Sequence, residues 1–346
     1  MDDRHQRFLP VGKLPLDELR SLLTRLPQGD PRLIIGPQIG EDAAVIDAGD
    51  RCLVVSTDPI TFATDHVGRY AVHVNANDVA VMGARPLWLF VVLLLPEGTA
   101  TPQLVETIMA DVQITCDELR ITLCGGHTEI TQGLDRPIVV GQVLGEVASA
   151  RLVRKNRIAI GDHVLLTRGV AIEGTAILAR EKFERLRGKV SADLLTRAAQ
   201  LLVDPGISVV AGALAAAEVG DVVHAMHDPT EGGLGAAIHE MAHAAHLKIV
   251  VDLDRISIPD ITRQICALFS IDPLGLISSG ALLIAVSRSR TASLVSALKT
   301  RGIGAAPIGV FKTGRGVTAT RKGRPTMLPW FESDELLKAQ SRCGQT

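Results

Sequence analysis

One helix-like stretch restricts what this chain can fold into more than any other feature. The segment HVNANDVAVMGARP, residues 73–86, is apolar enough to lie in a core, yet Asn75, Asn77 and Asp78 interrupt it. These residue types are poor in helix interiors, because their short polar side chains compete for backbone hydrogen-bonding groups. A buried, unpaired carboxylate costs several kcal/mol, a large share of a domain's stability. Asp78 has no capping role in mid-helix, so the segment predicts a bound group that compensates its charge.

Short apolar runs alternate with amphipathic stretches along the whole chain. The apolar runs that predict β-strands are residues 51–58, 86–95, 136–147, 162–169 and 221–226. The amphipathic stretches that predict helices are residues 15–26, 66–83, 102–119, 173–183, 191–202 and 231–246. This mixture indicates an α/β or α+β fold.

The length of 346 residues suggests two domains. Residues 148–161 have no clear periodicity and are basic, so we place the domain boundary there. We therefore expect an N-terminal domain over residues 1–150 and a second domain over residues 151–315. The chain after about residue 310 is turn-rich and polar, and we expect residues 316–346 to form a peripheral arm and tail.

Composition excludes several classes of function. The formal charge is -2 and aromatic residues make up 3%, so the chain lacks the basic stripe and the stacking side chains of a nucleic-acid binder. Its five cysteines form no CxxC pair, which disfavours a disulfide framework or a zinc knuckle. The polar start and the shortness of the longest apolar run, residues 87–95, predict no signal peptide and no membrane span. We expect a cytoplasmic protein.

Four aspartates share one setting, because each lies beside small residues where an apolar element ends or turns: Asp42, Asp58, Asp78 and Asp228. Taken singly, three of them have ordinary structural explanations as caps or turn residues, and only Asp78 does not. Asn75 is three positions before Asp78 and shares its helix face. Carboxylate oxygens suit Mg²⁺, which bridges to substrate phosphates. As a set, the four acids predict a magnesium site for phosphoryl transfer.

Two glycine-containing segments could complete a phosphate site, although the chain has neither a P-loop nor a dinucleotide-binding fingerprint. CGGHT (124–128) follows a strand-like stretch and PTEGG (229–233) precedes a helix, so either can direct backbone N–H groups at an anion. Glycine pairs also commonly mark plain turns. Lys13, in VGKLP, is either a surface lysine or a phosphate-binding one.

Five motifs in register carry a resemblance to a known superfamily: IGEDAAV, VVSTD, NANDVAVMGARP, GGHT and HDPTEGGL. In this order they resemble the aminoimidazole-ribotide synthetase (PurM-like) superfamily over about residues 10–312. Within it the chain is most similar to the HypE family of hydrogenase maturation proteins. The segments that carry this similarity are NDVAVMGARPLWL, DPTEGGLGAAIHEMA and IDPLGLISSGALLIAV.

The resemblance implies a two-domain PurM-like fold whose N-terminal strands pair across a homodimer. It implies ATP and Mg²⁺ as cofactors and assigns the metal to Asp42, Asp58, Asp78 and Asp228. It further implies catalytic roles for Lys13 and Asp78. The residues predicted to bind the nucleotide are Gly12, Lys13, Asn75, Gly125, Gly126, Thr128, Gly232 and Gly233.

The function implied is an ATP- and Mg²⁺-dependent enzyme that activates a carboxamide or related oxygen by phosphoryl transfer, in hydrogenase metal-centre maturation with partner maturation proteins. Two alternatives stay open: a kinase or synthetase for a small metabolite, similar to thiamine-monophosphate kinase, and a nucleotide-binding scaffold without turnover. His127 replaces the aspartate of the family's GGDT segment, and Cys343 lies in a tail, SRCGQT, that lacks the family's proline and continues past the thiol.

Overall fold

The computed structural model describes residues 8–27 and 29–341. The helices are α1 (Leu16–Leu23), α2 (Val67–Val81), α3 (Pro102–Leu119), α4 (Ile172–Glu181), α5 (Phe183–Leu186), α6 (Ala192–Gln200), α7 (Val210–Ala217), α8 (Gly233–Ala245), α9 (Asp260–Phe269), α10 (Thr291–Lys299) and α11 (Glu335–Ser341). The strands are β1 (Leu33–Ile35), β2 (Ala44–Asp47), β3 (Arg51–Ile60), β4 (Arg85–Pro96), β5 (Thr122–Thr131), β6 (Ile138–Ala148), β7 (His163–Thr167), β8 (Val223–His227), β9 (Lys248–Asp252), β10 (Leu283–Val286), β11 (Ala305–Lys312), β12 (Gly316–Arg321) and β13 (Arg324–Thr326).

The first sheet has six strands in the order β1-β2-β3-β6-β4-β5. Its centre is a long antiparallel pair, β3 with β6, whose register runs from Arg51 opposite Ala148 to Ile60 opposite Val139. Helix α2 lies directly on this pair, and two glycines of β6 make that close approach possible. A Cβ on Gly141 would lie 2.4 Å from the Asn75 amide nitrogen. The sheet therefore sets the distance between its strands and α2, the helix that carries Asp78.

The second sheet has seven strands in the order β13-β12-β9-β11-β7-β10-β8. Its pairs are antiparallel except for β9 with β12, which run parallel. Strands β12 and β13 belong to the part of the chain that the sequence predicts to be a peripheral arm, so residues 316–326 extend the second sheet. Beyond them, residues 327–341 cross the molecule and end in α11. Cys343 lies outside the described residues.

A buried asparagine ties the two sheets together. The Asn77 amide nitrogen donates to the Ile207 carbonyl oxygen at 2.9 Å, and its oxygen accepts from the Val209 backbone N–H at 2.8 Å. Asn77 is fully buried, so these two bonds satisfy both of its polar atoms where water cannot reach. They fasten α2 of the first half to the segment before α7 of the second half. This accounts for one of the two asparagines that interrupt the apolar helix.

The strands and helices predicted from periodicity are confirmed, with ends shifted by a few residues. The GGHT segment differs, because the predicted loop over residues 124–128 lies inside β5. By length and composition, residues 192–217 could span a membrane. In the structure they bend at Asp204 (φ -133°, ψ 113°) between α6 and α7, and both helices contribute to the buried core. Helices in the core of a globular protein are interrupted and buried in this way.

Candidate functional site

A cavity of about 200 Å³ lies between the two halves of the molecule. The first half contributes the end of β3, the loop after it and one face of α2. The second half contributes α4 and the segments around Thr230 and Ile277. The residues that line it are Lys13, Glu41, Asp42, Asp58, Pro59, Ile60, Thr61, Phe62, Ala63, Tyr70, Val74, Asp78, Glu173, Ile177, Thr230, Glu231, Ile277 and Ser279. Three of the four predicted metal-binding aspartates are therefore brought to one cavity.

Asp78 and Asp58 meet across a serine hydroxyl. The Ser56 hydroxyl donates to Asp78 Oδ2 at 2.6 Å and lies 3.4 Å from Asp58 Oδ2. Asp78 is buried, and burial raises the pKa of its carboxyl well above the usual value, with further increases from the negative charges of Asp228 and Asp58. The charged form of this side chain is therefore disfavoured unless a positive charge lies beside it.

Asp228 is the buried acid without a partner. It is 1% exposed, and neither of its carboxylate oxygens finds a hydrogen-bond partner among the described residues. Burial, and then the charge of Asp42, raises the pKa of Asp228 to about 7. One ligand atom from each of Asp42, His227 and Asp228 lies within 4.8 Å of the others. A divalent cation would satisfy the unpartnered oxygens of Asp228, and these carboxylate oxygens suit Mg²⁺, whereas both ring nitrogens of His227 already lie against Asp42 and Glu240.

Asp42 differs from the other acids, because cationic groups already lie against both of its oxygens. Oδ1 lies 2.7 Å from Nδ1 of His227, and Oδ2 accepts a hydrogen bond of 2.7 Å from the Lys155 ammonium. Lys155 is 2% exposed and also donates to the Gly40 carbonyl. Together these contacts lower the pKa of Asp42, although its burial acts the other way. Asp42 thus stays ionised without any bound metal.

His227 connects Asp42 to a charged residue of helix α8. Its Nε2 lies 2.9 Å from Glu240 Oε2. Burial alone would lower the pKa of the imidazole, but the neighbouring Asp42 outweighs it and raises that pKa to about 9. The pKa of Glu240 falls to about 2, because the charges of Lys13 and His227 outweigh its burial. A row of alternating charges, Glu240, His227, Asp42 and Lys155, therefore joins the two halves behind the cavity.

Lys13 approaches the same acids from the segment before α1. The residue is exposed, while its ammonium donates to the Thr230 hydroxyl at 3.2 Å. Burial of the ammonium group would lower its pKa, but the charges of Glu240 and Glu231 outweigh that effect and raise it. Gly12 has φ +114°, and the only described atom within 4 Å of a Cβ placed there would be Leu337 Cδ1 of α11. Lys13 is thus a cation held over an acidic cavity.

Asn75, predicted to bind the nucleotide, is occupied by backbone groups. Its side-chain oxygen accepts from the Asp58 N–H at 2.8 Å, and its nitrogen donates to the Ala71 carbonyl at 2.8 Å. Both polar atoms are buried. In this arrangement Asn75 fixes β3 against α2 and so sets the position of Asp58 relative to Asp78.

The two predicted glycine segments end up in different places. Gly125, Gly126 and Thr128 lie in β5 on the exposed outer edge of the first sheet, and they do not line the cavity. A Cβ on Gly126 would lie 1.7 Å from the Val91 carbonyl oxygen, so only glycine allows this strand to pair with β4. The side chain of His127 is 66% exposed and lies near Glu129.

The second glycine segment does open a helix beside the cavity. Gly232 (φ +81°) and Gly233 (φ +62°) adopt the left-handed backbone that favours glycine and begin α8. The Gly232 N–H donates to Asp334 Oδ2 at 2.8 Å. Asp334 belongs to the segment before α11, and burial raises its pKa to about 7. A carboxylate of the chain itself therefore occupies one of the N–H groups that we expected to face a phosphate.

Replacing Asp228 by asparagine in the metal-free protein should stabilise the fold more at pH 7.5 than at pH 5. The carboxyl has a raised pKa when folded, so the stability present below the unfolded value near 4 is lost as pH rises towards about 7. The loss is at most about 1.4 kcal/mol per pH unit. The Asp228→Asn variant does not undergo this loss of stability. Comparing it with wild type cancels the contributions of other titrating groups, such as His73, whose lowered pKa makes stability rise with pH.

Chemical denaturation of both proteins in EDTA at the two pH values measures this difference. An unchanged difference between pH 5 and 7.5 would show that the Asp228 carboxyl is not desolvated.

Two family models match most of the chain. Residues 40–147 match the AIR synthase related protein, N-terminal domain, and residues 159–322 match the AIR synthase related protein, C-terminal domain. A putative hydrogenase expression/formation protein of Methanocaldococcus jannaschii is 30% identical over 278 residues, 78% of each chain. Carbamoyl dehydratase HypE of Escherichia coli (strain K12) is 29% identical over 287 residues, 80% of each chain.

Solved structures show the same fold. Hydrogenase maturation protein HypE in complex with ATP superposes with a TM-score of 0.67 and 22% identity, covering 92% of this chain and 91% of that one. The HypE–HypF complex gives a TM-score of 0.71 and 19% identity, covering 84% of this chain and 93% of that one. These likenesses are those of a two-domain PurM-like fold.

Proposed function

Because the chain belongs to the AIR synthase related protein family, we propose that it is an ATP- and Mg²⁺-dependent enzyme of the HypE type. Its relatives are named carbamoyl dehydratase and hydrogenase expression/formation protein, and a HypE of the same fold has been solved with ATP. The observation that carries the proposal is Asp228, whose two buried oxygens have no partner among the described residues. A cation bound beside Asp228 would offset the cost of burying these two oxygens.

We assign the cation to Asp58, Asp78 and Asp228, with Asp42 beside them. Mg²⁺, when bound there, would neutralise these carboxylates and stabilise charge on the phosphates of ATP. Ser56 and Asn75 hold Asp78 and Asp58 in position through the hydrogen bonds described above. His227 and Lys155 already neutralise Asp42. Asp42 therefore positions the neighbouring acids, whether or not it bonds to the cation directly.

Lys13 and Thr230 supply the phosphate side of the site. Lys13 is the one lysine or arginine among the described residues that lines the cavity, and it comes from a segment outside both sheets. We propose that it contacts the transferred phosphate, where a fixed positive charge stabilises the transition state. In the present arrangement Thr230 holds this ammonium at 3.2 Å.

Calorimetric titration of ATP into the full-length protein tests the proposal. We expect binding in Mg²⁺ that is lost in EDTA and lost in Asp58→Asn. Asp50→Asn is the matched control, because Asp50 is exposed in the turn before β3, and it should bind ATP normally. Equal, metal-independent binding by wild type and Asp58→Asn would remove the proposed site.

The acceptor of the phosphate is a carboxamide if the enzyme is of the HypE type, or a small metabolite if it is a kinase or synthetase. The tail favours keeping the second candidate, because Cys343 is followed by Gly344, Gln345 and Thr346 instead of ending the chain. If ATP turnover on an added small molecule survives deletion of residues 341–346, the tail is not the substrate.

We also propose that the chain forms a homodimer through β5. This strand ends the first sheet, pairs only with β4 among the described strands, and is exposed along almost its whole length. An uncovered ten-residue edge of this kind favours pairing with another strand. A dimer mass by light scattering at micromolar concentration is expected, and a monomer would contradict the proposal.

Maturation proteins are the expected further partners, as the HypE–HypF complex suggests, and the expected location is the cytoplasm.

A further inference from the structure

The segment that follows β3 belongs to the first half of the molecule but is attached to the second. It comprises residues 61–65, between β3 and α2, and we call it the crossing loop. Thr61, Phe62 and Ala63 of this loop line the cavity, and α4 of the second half contributes Ile177 to the same cavity. The crossing loop is therefore a wall of the site that is neither helix nor strand.

Glu181, at the end of α4, holds the middle of the crossing loop. Its Oε1 accepts hydrogen bonds from the Thr64 N–H at 2.7 Å, the Thr64 hydroxyl at 2.8 Å and the Asp65 N–H at 3.2 Å. Glu173, Ile177 and Glu181 are four positions apart and so share one face of the helix. Because Glu173 and Ile177 line the cavity, the same face of α4 forms the wall and then binds the loop.

Arg180 supplies a second attachment. Its Nη1 donates to Asp65 Oδ2 at 2.6 Å, and its Nε donates to the Ala199 carbonyl of α6 at 3.1 Å. We call the contacts of Glu181 and Arg180 with the crossing loop the latch. Thr64 and Asp65 are exposed, so each bond of the latch competes with water and stabilises the closed loop only weakly. The latch can therefore open without unfolding either half.

The end of the loop next to α2 is fixed to the first half. His66 has φ +54°, a left-handed backbone that is uncommon for residues other than glycine. Its Nδ1 lies 3.1 Å from Asp111 Oδ1 of α3. Uncommon backbone held by a side-chain contact is typical of ligand clamps and switch regions. The crossing loop thus has one firm end and one attachment that breaks easily.

The cavity is small for the proposed ligands while the latch is closed. Its volume of about 200 Å³ is below the roughly 300–1,000 Å³ of sites for drug-sized ligands. A nucleotide with its metal and an acceptor needs more space than this. Moving the crossing loop outward enlarges the cavity and breaks only exposed hydrogen bonds and the packing of Phe62 and Ala63 on the core.

We propose that Glu181 is a positioning residue that holds the crossing loop closed over the empty cavity, and that the latch opens when the nucleotide binds. The identity of this ligand rests on the proposed function. A protein that is competent to bind for only part of the time shows an apparent affinity reduced by that fraction. Removing the latch should therefore strengthen binding, whereas losing a purely structural contact would weaken it or leave it unchanged.

Calorimetric titration of a non-hydrolysable ATP analogue with Mg²⁺ into the full-length protein tests this inference. We expect Glu181→Ala to bind the analogue roughly three- to tenfold more tightly than wild type, although it melts no higher than wild type without ligand. Thr64→Val should change affinity in the same direction but less, because the two backbone N–H bonds to Glu181 remain. Glu184→Ala is the matched control, since Glu184 is exposed and pairs only with Arg187 among the described residues, at 3.5 Å.

Hydrogen–deuterium exchange at residues 64 and 65 reports on the latch directly. Without ligand these amides should exchange more slowly in wild type than in Glu181→Ala, and the analogue should accelerate their exchange in wild type. Unchanged or weaker affinity in Glu181→Ala, or slower exchange when wild type binds the analogue, overturns the inference. If Glu181→Ala does not fold, unchanged or weaker affinity in Thr64→Val overturns it.

Failure of the proposed function gives a different result. Wild type would then not bind the nucleotide in Mg²⁺, and exchange without ligand would decide the latch by itself. Equal exchange at residues 64 and 65 in wild type and Glu181→Ala would overturn the latch, and faster exchange in Glu181→Ala would support it.

Discussion

Replacing Asp78 by asparagine is expected to reduce Mg²⁺-dependent ATP turnover by roughly 100-fold or more and at the same time to raise the melting temperature of the metal-free protein. Asparagine keeps the shape of the side chain and can still accept the hydrogen bond from Ser56. It removes a buried carboxyl whose charged form is opposed by burial and by the negative charges of Asp228 and Asp58. Activity and metal-free stability should therefore change in opposite directions.

Thermal melts with EDTA and with Mg²⁺ measure both effects together with a turnover assay. Wild type should gain stability from Mg²⁺ by mass action, whereas Asp78→Asn should respond little. Asp50→Asn, an exposed acid in a turn, should behave as wild type in every measurement. An Asp78→Asn protein that is less stable than wild type in EDTA would show that Asp78 is held by local contacts and needs no cation.

Replacing Lys155 by methionine is expected to cost roughly 3–5 kcal/mol of unfolding free energy, the usual effect of removing one partner of a buried ion pair. The Lys155 ammonium binds Asp42 Oδ2 at 2.7 Å and the Gly40 carbonyl, with Glu41 at 3.9 Å. Methionine fills the space of the alkyl chain but leaves Asp42 with His227 alone. Urea denaturation in EDTA measures the loss.

Arg157→Met is the matched control two residues along the same segment. Arg157 is partly exposed and lies 3.8 Å from Asp221, itself exposed, so its loss should change stability by less than about 1 kcal/mol. A Lys155→Met protein as stable as the control would mean that the Lys155 ammonium is not required to balance the buried acids.

The sequence carries enough information to predict the acidic cluster but not the groups that support it. Asp78 is conspicuous because a carboxylate in an apolar helix contradicts local preference, and such conflicts mark functional positions. Asn77 violates the same preference one residue earlier, yet it fastens α2 to Ile207 and Val209. Local pattern cannot separate the two cases, because the partners of Asn77 lie 130 and 132 positions away and even Ser56, the partner of Asp78, lies 22 positions away.

Lys155 and Glu240 escape prediction for a related reason. Lys155 stands in RLVRKNR, which reads as a basic, solvated linker, and the fold buries it only because Asp42 arrives from the first half. Glu240 stands among histidines on α8, and this pattern predicts a solvent-exposed helix face. The GGHT segment illustrates the opposite case, because glycines that suggest a loop instead allow β5 to lie against β4.

Helix α2 performs four tasks with four polar side chains: Tyr70 lines the cavity, Asn75 holds β3, Asn77 holds the second half, and Asp78 enters the acidic cluster. Each residue of an α-helix turns the next by about 100°. A single inserted or deleted residue between positions 70 and 78 would therefore misdirect several of these groups at once, whereas single substitutions disturb them one by one. The spacing within this segment should accordingly resist insertions and deletions far more strongly than its individual residues resist exchange.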